Sequence, residues 1–292
     1  MDLDRPIFIV SIGRCGSTIF HRILCEHPRI SWLTGFADWN PSSPSRNRWI
    51  MEMADWPLVG GFVRRVYPSE CYRFWEYHCP GFRRPFRDLS EEDLSVRSRL
   101  RVRDALGGVT SKRRPRLAMK ITGWPRVGLL SSIFPNAKFI HLGRDGRSVA
   151  NSFMNVPWWW GWRGPENWRW GQLSGDYREE WESHDRSFVA LAGIQWKIFM
   201  DAFESSRVLL PEGSLLDLSY EDLCADPVGV FGKVQEFCGL HESVSFSRSL
   251  DNFSLVDTGS KWRRHLSESQ QTTLNEVLSG YLEKYGYSGD GN

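Results

Sequence analysis

Six consecutive residues, Gly13, Arg14, Cys15, Gly16, Ser17 and Thr18, place two glycines, two hydroxyls and a guanidinium between an apolar run and a helical pattern. A turn of this kind aims successive backbone N–H groups, and the positive end of the helix dipole, at one point, which favours phosphate. In the triphosphate loop GxxxxGK[ST], a lysine reaches the outer phosphates and the hydroxyl binds magnesium. Here Gly16 stands in the lysine's place before Ser17 and Thr18, and the nearest cation, Arg14, lies on the other side of the turn. The chemistry expected is anion binding by N–H groups and a guanidinium. The plain alternative is a turn that only joins strand to helix, but that would leave Arg14 facing a helix N-terminus with no anion between them.

A second element has the same character. In FIHLGRDGRSVANS, Arg144 and Asp145 fall at the end of an apolar run, and Ser152 follows one to two turns into a helix. An arginine at a strand tip and a serine at that spacing can converge on a second phosphate. The alternative for Arg144 and Asp145 is a local ion pair at the helix start.

Together the two elements resemble the sulfotransferases that use 3′-phosphoadenylyl sulfate (PAPS). GRCGST, residues 13–18, is similar to that family's 5′-phosphosulfate loop, in the branch with arginine as the basic residue. Arg144, Asp145 and Ser152 match the order and spacing of its 3′-phosphate segment, and LSYEDLCADP (218–227) and GSKWRRHLS (259–267) resemble its strand–helix junction and C-terminal basic loop. The resemblance implies PAPS as sulfuryl donor, 3′-phosphoadenosine 5′-phosphate (PAP) as product, and no metal. It implies nucleotide contacts from Arg14, Cys15, Gly16, Ser17, Thr18, Arg144 and Ser152, with Lys261, Arg263 and Arg264 as a lid. It also implies that Arg14 and Lys120, at the end of RLAMK, act on the transferred group. Where the family carries a His after that Lys, this chain reads KITGWP. Where the arginine branch carries a Glu after the first helix, HPRISWLTGFADW offers Asp38 as its first acid. Asp38 is therefore the expected general base. His21 is held in reserve, and His141, in an apolar strand, reads as a core histidine.

These residues need a scaffold. Ile7–Ile12, Arg116–Ile121 and Ala137–Leu142 read as buried parallel strands alternating with helices, and GSLLDLSYEDL supplies another buried strand. Val189, Ala192, Trp196, Phe199 and Phe203 mark a long amphipathic helix. Asp226 with Pro227 starts a helix, and Ser267 with Gln270 forms a capping box before the last one. The fold class expected is α/β: a P-loop-like three-layer sandwich, with a central parallel sheet and helices on both faces. All 292 residues are read as one domain. Residues 36–115 and 155–185 break the rhythm and are expected to be substrate-side insertions over the active-site edge.

With 37 Lys plus Arg against 35 acids and a net charge of +2, the chain lacks the basic excess of a nucleic-acid binder. Six scattered cysteines without CxxC pairs, the absence of a leader pattern and the absence of a span-length apolar run point to a cytoplasmic protein with free thiols. Fifteen tryptophans are clustered, six of them between Trp158 and Trp170. Their faces suit sugar rings, aromatic acceptors or lipid tails, or they pack a long loop. The arginines at 97, 99, 101, 103, 113, 114 and 116 form either an attractive field for an acidic glycan or a solvated strip. The function expected is sulfuryl transfer to a hydroxyl of a small-molecule or glycan acceptor. The rival readings are a non-catalytic PAP-binding protein and a P-loop kinase.

Overall fold

The computed structural model describes residues 3–54, 56, 58–63, 68–83, 86–253 and 255–287. Its centre is a five-stranded parallel sheet in the order β2-β3-β1-β4-β5, built from β1 (Ile7–Ser11), β2 (Ile30–Ser31), β3 (Arg116–Thr122), β4 (Lys138–Gly143) and β5 (Leu215–Ser219). β1, β3 and β4 read as near-continuous apolar runs because helices cover both of their faces. Phe8, Val10, Met119 and Phe139 point to one core, and Ile7, Ile9, Ala118 and Ile140 to the other. β5 departs from the expected buried strand: its residues are only partly covered because it closes the edge of the sheet.

One core is covered by helices that include Tyr72–His78, Val96–Gly107 and Val127–Ile133, the other by α1 (Ser17–Cys25) and the helix Pro227–Cys238. The latter helix starts as expected, with Asp226 accepting the Gly229 N–H at 2.8 Å. A third core joins the helices Gly146–Met154, Phe188–Arg207 and Glu268–Lys284, and the last of these carries the Ser267/Gln270 capping box. The register sets Ile9 beside Lys120 and Ser11 beside Thr122. The carboxyl ends of β1 and β3 therefore finish together, at the edge where open parallel sheets bind ligands.

Four arginines of the strip are structural donors, while Arg97 and Arg113 are exposed. Arg114 is buried and gives hydrogen bonds to the carbonyls of His27 and Ile30, and Arg116 to those of Arg5 and Cys238. Arg99 and Arg101, on the helix Val96–Gly107, reach the carbonyls of Ser132 and Tyr77. Weak periodicity hid this helix, because its alternating arginines interrupt the apolar stripe.

Candidate active site

The loop after β1 owes its shape to two residues in the left-handed region, Arg14 at φ 75° and Gly16 at φ 78°. At Gly16 a Cβ would lie 2.2 Å from the Tyr220 ring, so glycine is required on steric as well as backbone grounds. The conformation starts α1 at Ser17, which is buried, and leaves Thr18 exposed. Cys15 meanwhile drops into the third core, where burial pushes its thiol up to about 12. Any contact it makes with an anion is through its backbone.

The second element meets this loop. Arg14 Nε donates to Ser152 Oγ at 2.9 Å, and Arg144 donates to the Arg14 carbonyl at 3.0 Å. Arg144 also reaches Thr258 Oγ1 at 2.8 Å and lies 4.2 Å from the centre of the Tyr220 ring. Asp145 caps the helix Gly146–Met154 and pairs with Arg147, which leaves Arg144 free of it. The local ion pair considered for Arg144 and Asp145 is not formed. Arg144 Nε is buried without a hydrogen-bond partner among the described residues, a donor that an anion would satisfy.

The C-terminal basic helix Lys261–His265 packs on the helix that carries Ser152, with Ser148 Oγ donating to the Gly259 carbonyl at 2.8 Å. Trp262 is buried between Arg147 and Arg263, at 4.8 and 5.1 Å from its ring centre. Lys261 and Arg264 are exposed beside it. Tyr220 and Thr258 join the site through Arg144, and the sequence did not single them out. Both lie in or beside the matched segments, but only the fold shows that they touch Arg144.

Lys120, at the end of β3, is buried. Its side chain is 8% exposed, and its ammonium bridges Thr18 Oγ1 at 2.8 Å and Glu70 Oε1 at 2.9 Å. Glu70 Oε1 also accepts from Thr122 Oγ1 at 3.0 Å. Asp38 is engaged elsewhere: its Oδ1 accepts the N–H groups of Arg73 at 2.7 Å and Phe74 at 3.3 Å, capping the helix Tyr72–His78. Glu70 is a third residue that the sequence did not single out. The signal was a lone acid ahead of a short aromatic helix, with nothing local to link it to Lys120.

His21 lies behind the site. Its Nε2 meets the Ala118 carbonyl at 3.1 Å, and burial lowers its pKa to about 3, so the ring is neutral. His141 is the satisfied core histidine expected, paired with Asp217 and stacked on Phe203.

A cavity of about 900 Å³ extends from Arg14 and Thr18 past Lys120 and Glu70 to Trp124, Trp158 and Trp170. A second, of about 680 Å³, is lined by Asp38 and Arg73 and shares Glu70, Tyr72, Arg83 and Lys120 with the first. Glycines bring the outer segments over the sheet edge: a Cβ at Gly123 would meet the Trp170 ring at 3.4 Å, and one at Gly171 would meet Phe86 at 2.5 Å. Trp159 donates to Gln195 Oε1 at 2.7 Å, and Trp168 donates to the Gly171 carbonyl. Some tryptophans of the segment therefore anchor the loop, while Trp158 and Trp170 line the cavity.

The model of the sulfotransferase family matches residues 6–243, and the chain belongs to that family. It is an enzyme of sulfuryl transfer. The omega-hydroxy-beta-dihydromenaquinone-9 sulfotransferase Stf3 of Mycobacterium bovis is 20% identical over 319 residues, covering 97% of this chain and 76% of the relative. The Mycobacterium tuberculosis protein of the same name matches equally. Among solved structures, sulfotransferase STF9 from Mycobacterium avium superposes with a TM-score of 0.61 at 14% identity, covering 100% of this chain and 79% of that one. STF1 from Mycobacterium tuberculosis gives 0.55 at 16%, covering 95% and 77%. These structures share the fold. Among the described residues no helix is long and apolar enough to cross a membrane.

Proposed function

We propose that the protein transfers the sulfuryl group of PAPS to the hydroxyl of a small-molecule acceptor, with Glu70 as general base. The observation that carries this reading is Lys120, held at 2.8 Å from Thr18 on the anion loop and 2.9 Å from Glu70 on the acceptor side. The donor residues fit: Arg14, Arg144 and Ser152 converge, and the unpartnered Arg144 Nε is one donor short of an acceptor. PAPS supplies the activated sulfuryl group when bound. Arg14, Arg144, Ser152 and the backbone of residues 15–18 hold its phosphates, and Lys261, Arg263 and Arg264 cover them.

As the acceptor's oxygen–sulfur bond forms and the sulfur–oxygen bond to the leaving phosphate breaks, the hydroxyl proton passes to Glu70. Charge left on the phosphate oxygen falls to Arg14, Lys120 and the loop N–H groups. Fixed donors of this kind need no reorganisation during reaction, and each is worth about 3–4 kcal/mol. The base role is given to Glu70 rather than Asp38 because Asp38 is committed to two backbone N–H groups. Residues 36–115 and 155–185 supply the acceptor side, whose aromatic faces suit a carbohydrate ring as well as an aromatic one.

Thermal unfolding with PAP tests the donor half. A ligand selective for the folded state at a hundred times its Kd adds about 2.7 kcal/mol, so PAP raises the Tm of the wild type. Arg14→Ala and Arg144→Ala each reduce that rise. An unchanged wild-type Tm at saturating PAP would overturn the reading.

A further inference from the structure

The larger cavity has an unequal charge balance. Arg14, Arg83, Lys120, Arg126 and Arg169 line it, against Glu70 as the sole carboxylate among its described lining residues. Three of these cations are accounted for. Arg14 is bound into the anion loop through Ser152, Lys120 pairs with Glu70, and Arg126 pairs with Asp88 at 3.4 Å. Arg83 and Arg169 remain: the Arg83 backbone N–H donates to Glu76 at 2.9 Å, but neither guanidinium has a carboxylate partner among the described residues. Both are exposed, and both lie on the segments that flank the sheet edge rather than on the anion loop.

Their surroundings are aromatic. Arg169 lies 5.1 Å from the Trp158 ring centre and 6.0 Å from that of Trp170. Trp124 and Trp170 each stand at 89° to Phe199, at 5.2 and 4.9 Å, so one ring of the long helix Phe188–Arg207 fixes both indoles. Trp158 is likewise held edge-on to Phe153 at 6.0 Å. Rings fixed by other rings make a preformed apolar wall, which suits a rigid, flat acceptor better than a flexible one. A cleft lined by cations of one sign with low-dielectric walls also concentrates anions.

From this we infer that the acceptor is an anionic ring compound: a flat apolar body with the hydroxyl that is sulfated and a carboxylate or phosphate held by Arg83 and Arg169. This rests on the reading of the cavity as the acceptor side of a sulfotransferase. The anion is recognised at the rim, so the ring body lies along Trp158 and Trp170 and the hydroxyl is carried inward to Lys120 and Glu70. No arginine of the strip 97–116 lines the cavity, and Arg99, Arg101, Arg114 and Arg116 are spent on backbone carbonyls.

The test compares hydroxynaphthoate, its neutral methyl ester and hydroxynaphthyl phosphate as acceptors with labelled PAPS. Either anion is expected to exceed the ester in kcat/KM by about tenfold, the scale of one charge-assisted contact, and the better of the two identifies the anionic group. In the double variant Arg83→Gln/Arg169→Gln that ratio falls toward one, through KM rather than kcat, and rising salt lowers it in the wild type. Binding of naphthoate and of its methyl ester to the PAP-loaded protein, read by calorimetry, reports the same preference if none of the three is turned over. Equal or better use of the neutral ester would overturn the inference. So would a double variant that loses the PAP-induced rise in Tm while keeping the preference, which would give both arginines to the donor. Failure of PAP to stabilise the wild type would instead strike the donor reading, since naphthoate binding is measured separately from transfer.

Discussion

The donor half and the acceptor half of this site are built differently. On the donor side the two anchoring arginines lie just beyond the ends of strands, as Arg14 follows β1 and Arg144 follows β4. Strand register then decides where the groups meet. On the acceptor side Glu70 reaches Lys120 across 50 residues of chain, and the wall is held by rings and glycines, Gly123 under Trp170 and Gly171 under Phe86. Local chain geometry builds the first half, and long-range packing builds the second. The two halves should therefore fail differently when altered.

The largest effect expected separates chemistry from donor binding. Glu70→Gln lowers single-turnover transfer by about 10²–10⁴-fold, the range for general-base removal, while the PAP-induced rise in Tm persists. Lys120→Ala, at the junction, costs about 10²–10³-fold. If Glu70→Gln transferred at the wild-type rate, the acceptor half would contain no base at this position. Asp38→Asn is the control: it weakens a helix cap at about 1 kcal/mol and leaves the rate near that of the wild type, as chemical denaturation and turnover together would show.

Gly16→Ala strikes the donor half. The new methyl would need both a left-handed residue and displacement of the Tyr220 ring, 2.2 Å away, at a cost of about 1–3 kcal/mol. Loss of the PAP-induced Tm rise in a still-folded variant is the expected readout, and full retention would mean that the loop tolerates a side chain.

Acid provides a further contrast. His21 braces the donor loop's helix against β3, and burial holds its folded pKa near 3, well below the usual value of about 6.5. The unfolded chain takes up a proton that the folded one refuses. Its contribution is thus intact above pH 6.5 and declines as the pH falls toward 3, at up to about 1.4 kcal/mol per pH unit. His27 and His78 are shifted the same way by burial. Urea unfolding between neutral pH and pH 5 should show this decline, and His21→Gln should make it shallower; an equal slope would remove His21 from the account.

The last effect falls on the acceptor side. Gln195→Leu leaves the buried indole N–H of Trp159 without its 2.7 Å partner, at about 1–3 kcal/mol. The Tm falls and the acceptor KM rises, whereas PAP affinity stays; a loss confined to PAP affinity would contradict the division into halves.

Much of the donor half was legible before folding. A glycine turn between an apolar run and a helix, and an Arg followed eight residues later by a Ser, are local patterns whose geometry the backbone dictates. Four of the five strands were legible for the same reason; the two-residue β2 was not, nor was the edge position of β5, since pairing and burial depend on neighbours distant in the chain. The acceptor half gave little notice. In residues 36–115 the helix Val96–Gly107 lacks a clear apolar stripe, and Glu70 follows no motif. Asp38 is the first acid of HPRISWLTGFADW, and order in sequence carries no sign that its carboxylate accepts the N–H groups of a helix start.

The amino-acid sequence alone determined that an anion loop and a second basic element stand at the ends of parallel strands, because alternation, turn chemistry and spacing act over a few residues. Tertiary structure alone decided that Lys120 faces Glu70, that Arg144 turns from Asp145 toward Thr258, and which tryptophans line the cavity. Each of those outcomes depends on which distant side chain occupies the neighbouring space, and packing settles that only when the chain closes on itself.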